Sequence, residues 1–255
     1  MSESTDQHGP TWWAKPSFLI SAVVIVLIVV IGAVALLWPR ADARTPAAAD
    51  TPTSTPSSTA PSHSGDASSC GLTASGGGST LTKPPTGITW DARGAIFAPS
   101  SKEHGPGRVD ETTGVRSCFS HTPTGALLAV SNFLASSGDR SGFVATIKAV
   151  GLDGPGRDVA IGKAQETSAG GSAAGTPIAI EAFRVLSYTP AKATVEVVAG
   201  ADTGNGKVYQ TTGVDIVWQG GDWKVVYRPN GEAGPISGQI SSLSGYVKWN
   251  PSDGR

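Results

Sequence analysis

The sequence predicts an α+β protein in which an N-terminal transmembrane helix and a disordered linker precede a domain of about three helices packed on a bent antiparallel sheet. Three observations predict it. Residues 18–38 are apolar and carry no charge, and residues 39–69 are rich in Pro, Thr, Ser and Ala. From Cys118 onward a helical apolar period gives way to the alternation of strands. Helices first and sheet second is the α+β order.

Each segment follows in turn. Residues 1–17 are too short and polar to fold, and read as a cytoplasmic tail. Residues 18–38, FLISAVVIVLIVVIGAVALLW, are long enough at ~1.5 Å per helical residue to cross a ~30 Å hydrocarbon core. Trp12, Trp13 and Trp38 flank the run where indole rings favour the membrane–water interface. Pro16 and Pro39 bracket it. A cleaved signal peptide competes with a retained anchor, because Ala41-Asp42-Ala43 has the small-x-small pattern of a cleavage site. The run exceeds the usual signal core of ~7–15 residues and Pro39-Arg40 follows directly, so the expectation is a single-pass anchor contacting membrane lipid through residues 18–38. Lys15 and the amino terminus nearly balance Arg40 and Arg44. Both cysteines, Cys70 and Cys118, follow the anchor, which suits an oxidising compartment and an extracytoplasmic C-terminal domain at the cell membrane.

The linker at 39–69 lacks large apolar side chains and is expected to be disordered and extended, since it cannot bury enough surface to offset its ordering entropy. Proline biases it toward ~3.1 Å of reach per residue. Its Ser/Thr/Pro mix leaves O-glycosylation open.

The domain spans 70–255. Trp90, Ile96 and Phe97 stand in a Gly/Pro-rich lead-in. In CFSHTPTGALLAVSNFLASSG, Thr122 is the helix cap and Pro123 the first helical residue. Leu127, Val130 and Leu134 form the apolar stripe, and Gly138 is the expected C′ stop. A second helix is expected over Arg140–Val150 and a third over Arg157–Thr167. Strands are expected over Ile178–Tyr188, over Thr194–Ala199 and from Val208, with a bulge near Ala182–Arg184 where the alternation slips. In VDIVWQGGDWKVVYRP a Gly220-Gly221 turn pairs Gln219 with Asp222, Trp218 with Trp223, Ile216 with Val225 and Val214 with Tyr227.

Function classes are narrowed by what the residues do not combine. Only 15% of residues are charged, the net charge is −1, and Lys and Arg are scattered, which excludes the clustered basic face of a nucleic-acid binder. His8, His63, His104 and His121 lie in different segments, and no Cys-x-x-Cys occurs, so neither a metal nor a cofactor is expected. Cys70 and Cys118 read instead as a disulfide closing a loop of about 49 residues, worth up to ~4 kcal/mol in the chain-entropy model. His121 stands beside Ser117, Ser120 and Thr122, but no Gly-x-Ser-x-Gly elbow accompanies it. It reads as a flank residue that hydrogen-bonds locally or packs beside the cap, and no catalytic residue is assigned.

Helices followed by a long bent sheet ending in the W..GDWKV.Y hairpin, Trp218 to Tyr227, resemble the cone-shaped fold of the nuclear-transport-factor-2-like superfamily. The order of tail, anchor, linker and one such domain is similar to the inner-membrane scaffold subunits of conjugative type IV secretion machines. Gly105-Pro106 followed by CFSHTPTGALLAV is similar to a family of actinobacterial membrane-anchored proteins often carried on mobile or conjugative elements. The resemblance covers residues 86–250. It implies a cone-like domain whose surface or mouth engages partners, with His121, Tyr188, Tyr209, Trp218, Trp223, Tyr246 and Trp249 as candidate pocket or interaction residues. Two placements of Tyr246 and Trp249 stay open, closing the mouth or packing on the sheet edge. Enzymes on this cone set an acid, base or tyrosine in the mouth, where the candidates are Asp215, Glu181, Glu196, Tyr188 and Tyr209. None of these is paired with another by spacing. The leading expectation is a non-catalytic, extracytoplasmic assembly or interaction protein, a scaffold component of a conjugation- or secretion-like envelope complex. Its partners are proteins of that complex, with self-association left open. The alternative is a cone binding a small envelope ligand (lipid, peptide or wall fragment), and the third reading is an isomerase- or dehydratase-like enzyme.

Overall fold

Thr122 starts the first helix. In the computed structural model its backbone is extended at φ −137° and ψ 163°, its Oγ1 accepts the Gly125 N–H at 3.0 Å, and Pro123 opens the helix where a missing N–H costs nothing. The structure describes residues 67–72, 80–93, 96–169, 178–204, 206–235 and 237–251. The expected tail, anchor and nearly all of the linker lie outside the described residues. Among the described residues no helix is long and apolar enough to cross a membrane.

Helix α1, Pro123–Ser136, buries more than the stripe its spacing announces. Leu127, Leu128 and Val130 are all fully buried, because the helix packs on the sheet and on its neighbours at once. Gly138 is not the left-handed stop that was expected. Ser137 caps the helix in the right-handed region at φ −66°, and Gly138 serves a close approach instead. A Cβ there would stand 2.8 Å from the Arg93 carbonyl. Helix α2, Arg140–Val150, has the expected bounds. Helix α3, Pro155–Ala169, is longer than expected at both ends, with Pro155 as another proline start.

The sheet is dominated by three long strands, β5 (Ile178–Tyr188), β6 (Lys192–Asp202) and β7 (Lys207–Gln219). The register jumps between Ile180 and Ala182 and again between Val185 and Ser187, so the first bulge falls one residue before the expected slip and a second follows at Leu186. Bulges bend a strand and increase its twist, and the sheet curls into a half-barrel around the three helices. Strand β8, Asp222–Val225, returns from a turn in which Gly220 and Gly221 both have positive φ, 64° and 76°. The first three expected pairs form in register. The fourth, Val214 with Tyr227, does not. After Val226 the chain turns away, the Asp215 N–H bonds to the Ala233 carbonyl at 3.0 Å, and Tyr227 faces Phe133 with ring centroids 6.3 Å apart.

The expectation of helices first and an all-antiparallel sheet second needs correction. Strands β1 (Thr89–Arg93) and β2 (Ile96–Ser100) form a hairpin in the Gly/Pro-rich lead-in and extend the sheet to the order β1-β2-β5-β6-β7-β8. Strand β2 runs parallel to β5, paired at Ile96 and Ile178. Its partner lies far along the chain, so no local alternation announces it. A small hairpin of β3 (Arg108–Val109) and β4 (Arg116–Ser117) stands apart. Strands β9 (Ser237–Ile240) and β10 (Val247–Lys248) then add to β7 and β5 respectively. The core lies between the helices and the inner sheet face, with Leu127, Ile147, Phe183, Val195, Ile216 and Trp223 at its centre.

Candidate functional site

The segment Cys118–Thr122 is a hub. Cys118 is disulfide-bonded to Cys70, with Cα atoms 6.1 Å apart, and takes a left-handed φ of 66°. That conformation turns consecutive N–H groups toward one point, where the Asp222 carboxylate accepts from Cys118 at 2.7 Å and from Phe119 at 3.0 Å. The same carboxylate takes the Trp223 N–H at 2.9 Å. On the other side the loop at 104–107 clamps the segment, through Ser120 N–H to the His104 carbonyl and Gly107 N–H to the Cys118 carbonyl.

One hydroxyl–imidazole arrangement sits here. Ser120 Oγ is 2.9 Å from His104 Nδ1 and 2.8 Å from Thr122 Oγ1, and Glu103 stands 4.0 Å from His104 Nε2. Its order resembles a nucleophile, base and orienting acid. Accessibility argues otherwise: Ser120 is fully buried and Thr122 Oγ1 is engaged as the helix cap. Burial lowers the His104 pKa, opposed by the nearby Glu103 charge, so the ring is neutral at pH 7 and serves as a partner for the two hydroxyls. The geometry makes this a reinforced cap.

His121 points elsewhere. Its ring stacks on Trp218 with centroids 4.0 Å apart and 6° between planes, meets Trp223 edge-on at 5.6 Å, and hydrogen-bonds through Nε2 to the Pro190 carbonyl. Tyr188 Oη donates to the His121 carbonyl at 3.2 Å, and Trp223 Nε1 donates to the Ser120 carbonyl at 3.1 Å. The fold therefore gathers His121, Tyr188, Trp218 and Trp223 into one aromatic cluster.

Of the remaining candidates, Tyr209 and Tyr246 and the three carboxylates lie across the sheet, and Trp249 packs in the core at its edge. Between β9 on β7 and β10 on β5, residues 241–246 cross the outer face and set Tyr246 over it. There Glu196, 1% exposed, accepts from Arg184 Nε at 3.1 Å and Nη2 at 2.7 Å, from Thr211 Oγ1 at 2.7 Å and from Tyr246 Oη at 2.8 Å. Burial alone would raise the carboxyl pKa. The bonds from Thr211, Tyr246 and Arg184 outweigh it and hold the group below its ordinary range. Arg184 also lies 4.7 Å from the Tyr246 ring centroid. Glu181 pairs with Lys207 Nζ at 2.6 Å, and Asp215 accepts from Thr194 Oγ1 at 2.7 Å on the same outer face. Tyr209 sits there too, opposite Gly200. Trp249 is 3% exposed beside Trp90 and Phe183, its N–H bonded to the Glu181 carbonyl at the β5 edge.

On the helix side a cavity of about 460 Å³ opens between the three helices and the loop after β8. Phe133, Phe143, Ile147, Ala164 and Tyr227 supply apolar wall, and Ser137, Lys163 and Thr167 the polar part. Lys163 Nζ donates to the Asn230 carbonyl at 2.8 Å. Burial pushes the Tyr227 hydroxyl pKa up, with Arg157 opposing, so the phenol stays protonated. None of the seven candidate residues lines this cavity. Among the described residues no group of three or more His, Cys, Asp or Glu side chains is arranged to hold a metal ion.

A family model for a domain of unknown function, DUF8175, matches residues 50–248. The chain belongs to the DUF8175 family. No curated protein and no solved structure matches it. The DUF8175 match ends at Lys248, the last residue of β10, so it takes in the strap that covers Glu196. Within this DUF8175 domain the carboxylates Glu181, Glu196 and Asp215 all face away from the helix-side cavity, each already hydrogen-bonded or ion-paired. The chemistry offered inside is apolar contact with a few hydroxyls and one amine. Two residues that matter, His104 and Asp222, were not among the candidate site residues, and His104 read only as an isolated histidine. Asp222 read as a turn-flanking partner of Gln219, and only an acid placed directly after a Gly-Gly turn hinted at more.

Proposed function

We propose that this chain is a non-catalytic, extracytoplasmic assembly or interaction protein, held to the membrane by residues 18–38 through the 39–69 tether. In this reading it is a scaffold component of a conjugation- or secretion-like envelope complex, and its domain a cone of the nuclear-transport-factor-2-like kind. The observation that carries it is the Cys70–Cys118 disulfide at the point where the tether enters the domain. Such bonds persist in oxidising compartments and are rare in the cytosol. Three helices inside a curled sheet support the cone. Envelope fractionation with thiol labelling tests it: the intact chain is expected in the membrane fraction, cleavable by external protease, with both thiols blocked. Intact protein in cytoplasmic extract with two free thiols would sink it, as would unimpaired DNA transfer and envelope assembly after deletion.

The cavity favours a second reading, a small apolar envelope ligand such as a lipid. Its volume of about 460 Å³ falls in the range of small-molecule sites, and its walls are largely apolar. Delipidated protein titrated with anilinonaphthalene sulfonate is expected to bind the dye and release it to decanoate. Ala164→Trp, which fills the cavity, should abolish both effects. Identical titrations of the two proteins would remove the ligand reading.

A further inference from the structure

We propose that the Cys70–Cys118 bond is a mechanical bypass, passing tension from the N-terminal side of the domain straight to the base of α1 and sparing residues 71–117. The origin of that tension rests on the anchored reading above. The route does not, because any pull on the chain ahead of Ala67 follows it.

The entry point is fastened on both sides of the bond. Ser69 N–H bonds to the Gly221 carbonyl at 2.8 Å, on the turn of the β7–β8 hairpin. Gly107 lies so close to Cys70 that a Cβ there would meet its Sγ at 2.3 Å. At the receiving end, Cys118 and Phe119 are tied to the buried Asp222 carboxylate, Phe119 is 2% exposed, and α1 begins four residues later. Load arriving at Cys118 thus meets the hairpin and the central helix together.

The spared segment is held differently. It contains β1 to β4, of which β3 and β4, among the described strands, pair with each other and not with the main sheet. Among the described residues the β1–β2 hairpin joins the main sheet through the Ile96–Ile178 pair. Asn132 Nδ2 bonding to the Pro99 carbonyl at 2.8 Å and buried Ala98 add side-on attachment to α1, Trp90 and Val115 pack against the main core, and the loop at 104–107 bonds to Cys118 and Ser120. Pulled from Cys70 without the bond, this segment peels from an edge, contact after contact. With the bond it carries no load.

The test is single-molecule pulling of the full chain in detergent, with handles at both termini, before and after reduction in place by a phosphine. Residues ahead of Cys70 contribute equally to both states, so the difference reports the domain. Oxidised protein should unfold without an early event. Reduced protein should first release, at lower force, the 71–117 segment, about 160 Å of contour beyond the 6.1 Å the bond spans, and then unfold at the oxidised force. Release of that length together with the core in one step would overturn the proposal. So would loss of all structure on reduction before any pull, since the bond would then hold the whole fold. Cys70→Ser/Cys118→Ser should reproduce the reduced trace. Fractionation addresses the anchor separately, so failure of one leaves the other standing.

Discussion

Strand β6 has two faces, both sealed from water by opposite means. Val195 and Val197, 0% and 2% exposed, are covered by helices and need only shape. Glu196 between them is as buried, but it lies beneath a strap of the chain's own C-terminal segment and is satisfied by four donated hydrogen bonds. Apolar burial is stabilising by itself, whereas a buried carboxylate is tolerated only while its partners stay in place. The inner face is therefore robust to small movements, and the outer face depends on where residues 241–248 lie.

Four substitutions test this contrast, the largest effect first. Phe183→Ala, which empties the inner face, should destabilise by about 3–5 kcal/mol in urea unfolding. Glu196→Gln should cost about 1–3 kcal/mol at pH 7, because donors are left poorly matched beneath the strap. Its cost should also depend on pH. The folded carboxyl releases its proton more readily than the unfolded one, so its contribution is complete above the unfolded value of ~4.3 and is lost as pH falls through the lower folded value. The gap between wild type and Glu196→Gln should narrow in melts below about pH 4; a constant gap would show that charge is not what the network holds. Thr122→Ala removes the cap bond to Gly125 and should cost about 1 kcal/mol, read from the thermal midpoint. Tyr246→Phe should cost about 0.5–1 kcal/mol and speed amide exchange in residues 241–248 while leaving β6 protected. If Tyr246→Phe matched Phe183→Ala, the division between the two faces would be wrong.

Legibility followed distance along the chain. The Thr122-Pro123 start of α1, the bounds of α2 and the register of the Gly220-Gly221 hairpin were readable because each depends on groups within a few residues. The β1–β2 hairpin was not, since it is placed by parallel pairing with a strand beyond all three helices. Gly138 was misread for a related reason: its spacing suits a helix stop, but its lack of a side chain answers to Arg93 in a different element. Among the candidate residues, Trp218 and Trp223 were expected to pair across the hairpin, and His121 and Tyr188, named apart from them, joined them in one cluster. Asp222 was seen only as a turn neighbour, although its carboxylate binds backbone 104 positions away.

The chain's own order of residues determined its helix starts, its tight turn, its alternating strands and, with two cysteines, which pair bonds. Tertiary structure alone decided that the sheet begins ahead of the helices, that Glu196 is buried as an ion, and that the cavity opens on the side away from the acids. Capping and turn chemistry act over a few bonds and leave a local pattern. Burial of a charge, and the space left between packed elements, come into being only when distant segments close on each other.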